Sequence, residues 1–252
     1  MFVQSLARGL SVIEAFDGAE RGLTVADAAR RSGLTRASAR RSLHTLVELG
    51  YAHFDGRAFA LAPRVLKLGF SYLRSQGLWA TAQAPMVELV ETVHESCSVA
   101  VLDGLEIVYV ARVPTRTRIM SISIGIGSRL PAATTSMGRV LLAGLPPAER
   151  RAALARMPRL ARHTAHTIAD AATLAAELEQ VARQGYAIVD QELEPGLRSL
   201  AVPLTDATGR TIAALNVGTH AARVTIDRLR REILPALRRC AVRISQAMQP
   251  DA

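Results

Sequence analysis

Apolar residues recur at helical spacing in three short segments at the start of the chain. The first segment covers residues 5–16, and the other two lie within residues 24–49. Between these two, Ser32 and Gly33 interrupt the repeat, and Thr35, a residue type that favours the N-cap position, precedes its return. Three short helices with a glycine turn before the third predict a helix-turn-helix.

The third helix carries its charge on the side away from its apolar stripe. That stripe consists of Ala39, Leu43, Leu46 and Val47. The polar residues expected on the opposite side are Arg36, Ser38, Arg40 and Arg41. Such a helix suits the major groove of DNA, where arginine binds guanine bidentately and the hydroxyls, Thr35 included, hold phosphate. An arginine-rich face is also common on ordinary solvated helices, so the charge run by itself leaves both interpretations open.

A predicted hairpin follows the third helix. Short apolar runs at 51–54 and 59–61 flank Asp55-Gly56-Arg57, a strong turn signal, and a hairpin in this place is the wing of a winged helix-turn-helix. Arg57 at its tip is expected to reach phosphate or a minor groove. From Pro63 the apolar spacing is helical again through about residue 74. This linker helix is expected to pack on a second copy of the chain or on the next domain.

The remainder of the chain mixes predicted strands and helices. Helices are predicted at 78–94, 135–145, 147–157, 171–184 and, as a final helix, 226–248. Strands are predicted at 98–102, 107–111, 119–124, 186–189, 197–204 and 212–217. The first two strands flank Asp103-Gly104 and predict a hairpin. The pattern indicates an α+β domain in which helices flank a sheet rich in antiparallel pairs.

Positive charge is concentrated in the N-terminal third. The chain has 252 residues and a formal net charge of +9, and residues 1–75 hold 11 basic and 6 acidic side chains. This asymmetry favours an N-terminal domain that binds a polyanion. Five arginines and no acid lie between residues 30 and 41. Of these, Arg30 and Arg31 on the second helix are expected to touch only phosphate or solvent.

The sequence also sets expectations about compartment and cofactors. It contains no run of 18 apolar residues and no secretory signal, so we expect a cytoplasmic protein without membrane contact. Cys97 and Cys240 lack neighbours at metal-ligand spacing and are expected to be small buried residues rather than a disulfide. We expect no cofactor and no metal.

Two other function classes are alternatives to DNA binding. An enzyme is disfavoured because no nucleophile, zinc, P-loop or dinucleotide motif occurs. His163 and His166 lie three apart in a polar segment expected to be a surface loop, and the alternate carboxylates Asp190, Glu192 and Glu194 have no second motif to support catalysis or a cation site. A structural nucleic-acid protein that binds no small molecule would leave the larger domain without a role.

Five collinear segments carry a resemblance to a known family. They are SLARGLSVIEAF, LTVADAARRSGLTRASARRSLHTLVELGY, DGRAFALAPRVLKLG, LPAATTSMGRVLLAGL and DQELEPGLRSLAVPL. Together they resemble the IclR family of bacterial transcriptional regulators over nearly the whole chain. Within it, FVQSLARGL, HESCSVAVLDG, VYVARVPTR and DQELEPGLRSLAVP are similar to the pca and pob branch, which regulates catabolism of aromatic acids through protocatechuate and β-ketoadipate.

The resemblance implies a domain plan and partners. It implies a winged helix-turn-helix at 1–62, a linker helix at 63–77 and a GAF-like effector-binding domain at 78–252. The partners implied are double-stranded operator DNA, a second copy in a homodimer or tetramer, and a small carboxylic-acid effector of the protocatechuate, 4-hydroxybenzoate or β-ketoadipate class. The alternative is an IclR-type regulator of another carbon-source pathway that responds to a keto acid.

The resemblance also places the effector pocket. By position, its predicted residues are Thr135, Ser136, Met137, Gly138, Asp190, Glu192, Arg198, Ser199, Asn216 and Gly218. Many family members carry cysteine at the position of Ser199, so no thiol-dependent or metal-dependent pocket is expected here.

The residues themselves support an anion site near the pocket position. The hydroxyls of Thr134, Thr135 and Ser136 precede a predicted helix, where free N–H groups favour a carboxylate, although they also suit simple capping. Four arginines are candidates for the partner of the effector carboxylate, and the sequence does not rank them. They are Arg112, Arg116, Arg118 and Arg198.

Overall fold

The chain folds into two compact units, Met1–Ser75 and Gln76–Ala252. The computed structural model describes residues 1–75, 78–115, 124–157 and 160–248. The predicted strand at 119–124 lies outside these residues except for Ile124. None of the helices within them is long and apolar enough to cross a membrane.

Three helices form the body of the first unit, as the apolar spacing predicts. They are α1 (Gln4–Glu14), α2 (Val25–Ser32) and α3 (Arg36–Glu48). Thr24 and Thr35 cap α2 and α3, because each side-chain oxygen accepts a hydrogen bond from the backbone N–H three residues later. Gly33 ends α2 with a left-handed φ of 68°, which glycine adopts without strain.

A two-stranded wing completes this unit. Strands β1 (Ala52–Phe54) and β2 (Phe59–Leu61) pair antiparallel. Gly22 is required next to the wing, because a Cβ at this position would lie 2.4 Å from the carbonyl oxygen of Phe59. A 3₁₀ turn (Pro63–Val65) then leads into α4 (Leu66–Ser75).

The second unit is a six-stranded antiparallel sheet with helices on both faces. Its strands are β3 (Ser96–Asp103), β4 (Glu106–Val113), β5 (Arg129–Pro131), β6 (Ala187–Asp190), β7 (Leu197–Thr205) and β8 (Thr211–His220). The strand order is β5-β4-β3-β8-β7-β6. The hairpin predicted around Asp103-Gly104 is confirmed, whereas β5 was not predicted because three residues carry too little pattern.

The helices of this unit are α5 (Leu78–Val93), α6 (Ser136–Ala143), α7 (Pro147–Arg156), α8 (Ala171–Gln184), α9 (Ile226–Arg228) and α10 (Leu234–Ala247). A 3₁₀ turn (Ala132–Thr134) precedes α6, and a π turn (Leu229–Ile233) joins α9 to α10. Pro235 follows the π turn and has no N–H to continue a regular α ladder, which gives the predicted final helix its irregularity.

Successive residues of each strand lie on opposite faces of this sheet, so alternate residues share one face. Ala100, Ala201 and Ala214 share a buried apolar cluster with α6 and α8, so the face that carries them is called the α6 face. Helices α5 and α10 pack against each other and against the sheet. Every residue in 96–100 and in 213–217 is buried, which shows that both faces of β3 and β8 are covered.

Candidate functional site

Three arginines of α3 are exposed. Arg36, Arg40 and Arg41 are all exposed, as expected for residues off the apolar stripe. Ser38 was expected on the same side, and this is wrong, because it is only 8% exposed and its backbone N–H donates to Thr35 Oγ1 at 3.2 Å. It lies toward α1, where it lines an apolar groove. The exposed surface of α3 therefore includes the three arginines but not Ser38.

The two arginines of α2, Arg30 and Arg31, make polar contacts with other residues of the protein. Arg31 Nη1 donates to the carbonyl oxygens of Ala15 and Asp17, at 3.0 and 2.7 Å, and so ties α2 to the end of α1. The expectation that Arg31 touches only phosphate or solvent is wrong. Arg30 is mostly exposed and forms an ion pair with Asp27 at 2.7 Å.

The wing is fixed to α3 by aromatic contacts. Phe54 and Phe59 stack with ring centroids 4.4 Å apart, and His44 of α3 makes edge contacts with both. At the tip, Asp55 Oδ1 accepts hydrogen bonds from the backbone N–H groups of Arg57 and Ala58. These bonds hold the pKa of Asp55 below its ordinary value. Arg57 is exposed, so its guanidinium projects from a rigid turn.

A set of polar groups lies on or beside the α6 face, and it is called the α6 cluster: Ser98, Thr134, Ser136, Ser199 and Asn216. Ser98 and Asn216 are direct cross-strand partners, and each stands two residues from an alanine of the α6 face. Ser199 stands two residues from Ala201 on the neighbouring strand, so it shares this face. Thr134 and Ser136 lie where α6 begins to cross it.

Three members of the α6 cluster are buried without a hydrogen-bond partner. They are Thr134 Oγ1, Ser136 Oγ and Asn216 Oδ1, in residues that are 3%, 1% and 8% exposed. Buried polar groups in native proteins are nearly always paired, so each unmet group calls for a partner such as a ligand or water. Thr135 differs, because its hydroxyl caps α6 by accepting from Gly138 N and donates to Pro131 O.

Two residues predicted to contact the effector, Asp190 and Arg198, bind each other on the sheet face opposite the α6 face. Arg198 pairs with Asp190 through Nε and Nη2, at 2.8 and 2.9 Å from the two carboxylate oxygens. Its Nη1 donates to Val224 O at 2.6 Å. Because Ser199 lies on the α6 face, its neighbour Arg198 lies on the opposite one. The structure therefore does not bring Asp190 and Arg198 together with the α6 cluster.

Glu192 is likewise engaged in the protein. Its Oε2 accepts from Arg139 Nη2 at 2.6 Å and from Ile168 N at 2.9 Å, and both side chains of the pair are almost fully buried. The carboxylate therefore joins α6 to two loops. Asp190 and Glu192 bind different arginines.

The remaining predicted residues of α6 and β8 have distinct roles. Met137 is 1% exposed and belongs to the apolar core with α8. Gly138 is needed for packing, because a Cβ there would lie 2.2 Å from Ala132 O. Gly218 has room for a Cβ, with Ser96 Oγ at 3.7 Å, and lies beside Ser199 on the α6 face.

The structure adds groups that the sequence did not single out. Ser98 was missed, although its alternate spacing with Ala100 in a predicted strand was an available signal. Arg139 was missed because nothing in the sequence indicates a buried arginine within a helix. Arg116 and Arg118 lie outside the described residues. Within the described ranges no group of three or more metal-ligating side chains occurs.

Two family models together match most of the chain. Residues 5–56 match the IclR helix-turn-helix domain, and residues 70–246 match the C-terminal domain of the bacterial transcriptional regulator IclR. The Pca regulon regulatory protein of Pseudomonas putida is 48% identical over 236 residues, covering 94% of this chain and 81% of that protein. The p-hydroxybenzoate hydroxylase transcriptional activator of Acinetobacter baylyi is 38% identical, covering 95% and 90%.

Solved structures agree with this result. A transcriptional regulator of Rhodococcus sp. RHA1 has 51% sequence identity and a TM-score of 0.87, with 98% of both chains covered. An IclR homologue from Microbacterium hydrocarbonoxydans, complexed with 4-hydroxybenzoate, has 26% identity and a TM-score of 0.85, with 97% of this chain and 98% of that chain covered. The chain belongs to the IclR family of bacterial transcriptional regulators.

Proposed function

We propose that this protein regulates genes of aromatic-acid catabolism, binding operator DNA through its first unit and a small carboxylic acid through its second. The relatives named for the Pca regulon and for p-hydroxybenzoate hydroxylase, and the homologue complexed with 4-hydroxybenzoate, support this pathway class. The observation that supports effector binding by the second unit is the set of unpaired buried groups in the α6 cluster.

The proposed DNA-binding surface consists of α3 and the wing. Arg36, Arg40 and Arg41 extend from α3 without a nearby acid in the first three turns of the helix, and Arg57 extends from the wing. Thr35 accepts a capping bond, so its hydroxyl proton remains available to a phosphate. This arrangement suits insertion of α3 into a major groove, with the wing on the flanking backbone.

The proposed effector pocket is built from the α6 cluster and Gly218. A small acid seated there would supply hydrogen bonds to Thr134, Ser136 and Asn216 that the protein itself does not supply. The free backbone N–H groups at the start of α6 favour an anion in the same place.

We also propose that the protein works as a dimer through α1 and α4. Leu6 and Leu10 of α1 and Leu68 and Phe70 of α4 are each about half exposed or more. Leu6, Leu10 and Leu68 line the apolar groove of about 620 Å³ that Ser38 also borders. A second copy would cover these side chains and place two recognition helices on one operator, with half-sites about 34 Å apart.

The effector then acts by population shift. Two dimer geometries that differ in the spacing of the recognition helices bind the operator unequally. An acid that binds one geometry better shifts the population toward it by as much as its affinities differ.

Thermal unfolding with candidate acids tests the effector half. A ligand at 100 times its Kd stabilises the native state by about 2.7 kcal/mol, so 4-hydroxybenzoate, protocatechuate or β-ketoadipate should raise the Tm if the proposal holds. A shift with other keto acids alone would favour the alternative pathway class. Absence of a shift with every acid tested would contradict the sensor function.

Operator titrations test the DNA half. Arg40→Ala and Arg41→Ala should each weaken binding, and a uniform loss with a shallower salt slope would identify a phosphate contact, whereas a loss of base preference would identify direct recognition. Arg30→Ala is the matched control, because Arg30 is an exposed arginine outside α3 that is already paired with Asp27. Unchanged operator binding by both α3 variants would refute the assignment of α3.

A further inference from the structure

A bulge in β4 decides which arginine faces the α6 cluster. In a regular strand, Tyr109 and Arg112 would lie on opposite faces, because they are three residues apart. The pairing of β4 with β3 shifts between Val99 and Ala100, which leaves Val110 as an extra residue. Bulges re-aim the side chains that follow them. Tyr109 packs in the core of the α6 face, and the bulge brings Arg112 onto that face as well.

Arg112 is held by a hydroxyl instead of a carboxylate. It is the cross-strand partner of Ser98, and its Nη1 donates to Ser98 Oγ at 3.2 Å. No acidic side chain forms an ion pair with Arg112 among the residues that the structure describes. The half-buried Arg112 therefore differs from Arg139 and Arg198, each of which binds a carboxylate of its own.

We propose that Arg112 binds the carboxylate of the effector, and that Ser98 positions its guanidinium. This inference rests on the effector-binding function proposed above. A guanidinium offers five N–H donors in a planar fork, which matches a carboxylate bidentately. Ser98 accepts from Arg112, so its hydroxyl proton can be donated to the same anion.

The neighbouring strand extends the site beyond the carboxylate. Asn216 is the cross-strand partner of Ser98 on the side away from Arg112, and its Oδ1 is unpaired. Arg112, Ser98 and Asn216 thus form a row across β4, β3 and β8 on one face. The row suits a small acid whose carboxylate lies at one end and whose second polar group lies at the other.

The test compares a charged ligand with its neutral analogue. We expect Arg112→Gln to weaken binding of 4-hydroxybenzoate or protocatechuate, measured by calorimetry on the full chain, by about 10-fold to 100-fold, the range for a hydrogen bond to a charged group. Binding of 4-hydroxybenzamide should change little, because it lacks the charge. Arg112→Lys should keep part of the preference for the acid over the amide.

Arg129→Gln is the matched control. It removes the same charge from the strand next to β4, but Arg129 is paired with Asp103 and Glu106, so acid binding should be unchanged. If Arg112→Gln does not fold, Ser98→Ala and Arg112→Lys decide the question, since both should lower the acid-to-amide preference.

The possible results separate the role of Arg112 from the effector-binding function. Wild-type affinity in Arg112→Gln, or a loss found only in Arg116→Gln or Arg118→Gln, would overturn the role of Arg112 and leave the effector function standing. If the wild-type protein binds none of 4-hydroxybenzoate, protocatechuate and β-ketoadipate, both the proposed effector class and the role of Arg112 are contradicted. A selective loss of acid binding in Arg112→Gln, with wild-type affinity in Arg116→Gln, Arg118→Gln and Arg129→Gln, would establish the anchor.

Discussion

The buried ion pair between Arg139 and Glu192 gives a prediction whose size follows from the structure. Their side chains are 2% and 8% exposed, and the nitrogen and oxygen lie 2.6 Å apart. Glu192→Gln keeps the shape of the side chain and an oxygen for Ile168 N, but it removes the charge that compensates the guanidinium. Arg139 then retains Ala133 O as a hydrogen-bond acceptor, with Glu177 more distant at 3.8 Å.

Removing one partner of a buried pair costs about 3–5 kcal/mol, because the other charge stays desolvated. For a domain of this size, each kcal/mol lowers the Tm by about 2–4 °C, so we expect a fall of about 10 °C in the transition of the second unit. Arg139→Met should cost a similar amount. The double variant should cost less than the sum of the two, since neither charge is then left alone.

Urea denaturation followed by circular dichroism measures these free energies of unfolding. The control is Glu232→Gln, which breaks the exposed pair with Arg228 and should change stability by less than about 0.5 kcal/mol. If Glu192→Gln costs no more than this control, the reasoning about burial is refuted. Strict additivity of Arg139→Met and Glu192→Gln would show that the two charges do not depend on each other.

Two further predictions concern packing and pH. Gly138→Ala should destabilise the second unit, because the new Cβ would lie 2.2 Å from Ala132 O. Gly69→Ala in α4 should be neutral or stabilising, because no atom beyond its chain neighbours and its own helix backbone lies within 4 Å of the new Cβ. Thermal unfolding measures the Tm of both variants. The hydrogen bond and the charge of Arg198 hold the pKa of Asp190 below its ordinary value of 3.8. The ion pair therefore stabilises the fold fully above pH 3.8, and this stabilisation is lost as the pH falls through the lowered pKa. Asp190→Asn should therefore lower the Tm at pH 7, and its deficit should shrink below pH 4; a deficit independent of pH would contradict the ion-pair explanation.

Local signals in the sequence predicted the secondary structure well. The spacing of apolar residues located the helices of the first unit to within two residues, and Thr35 caps α3 as its position indicated. Gly185 ends α8 with a left-handed φ of 74°, as expected for a glycine after the last apolar repeat. These features depend on contacts between residues that are close in the chain, so the sequence contains the information directly.

The effector residues were harder to predict, because a polar residue near the pocket position has many possible partners. Asp190, Glu192 and Arg198 lie close to Ser199 in the chain, yet each is bound within the protein. Ser38 was placed on the wrong side because the buried arc of α3 is wider than its apolar stripe. Glu192 is bound by Arg139, 53 residues away in the chain, whereas Asp190 and Arg198 meet across the β6–β7 hairpin.

What the sequence determined by itself is the family, most of the order of the elements and the arginine-rich character of α3. Only the tertiary structure decided which charges are free. The bulge at Val110 places Arg112 beside Ser98, and strand alternation turns Arg198 to the opposite face, where Asp190 binds it. The physical reason is that a strand side chain changes face with a shift of one residue, and that an ion pair forms between groups whose distance is set by the fold.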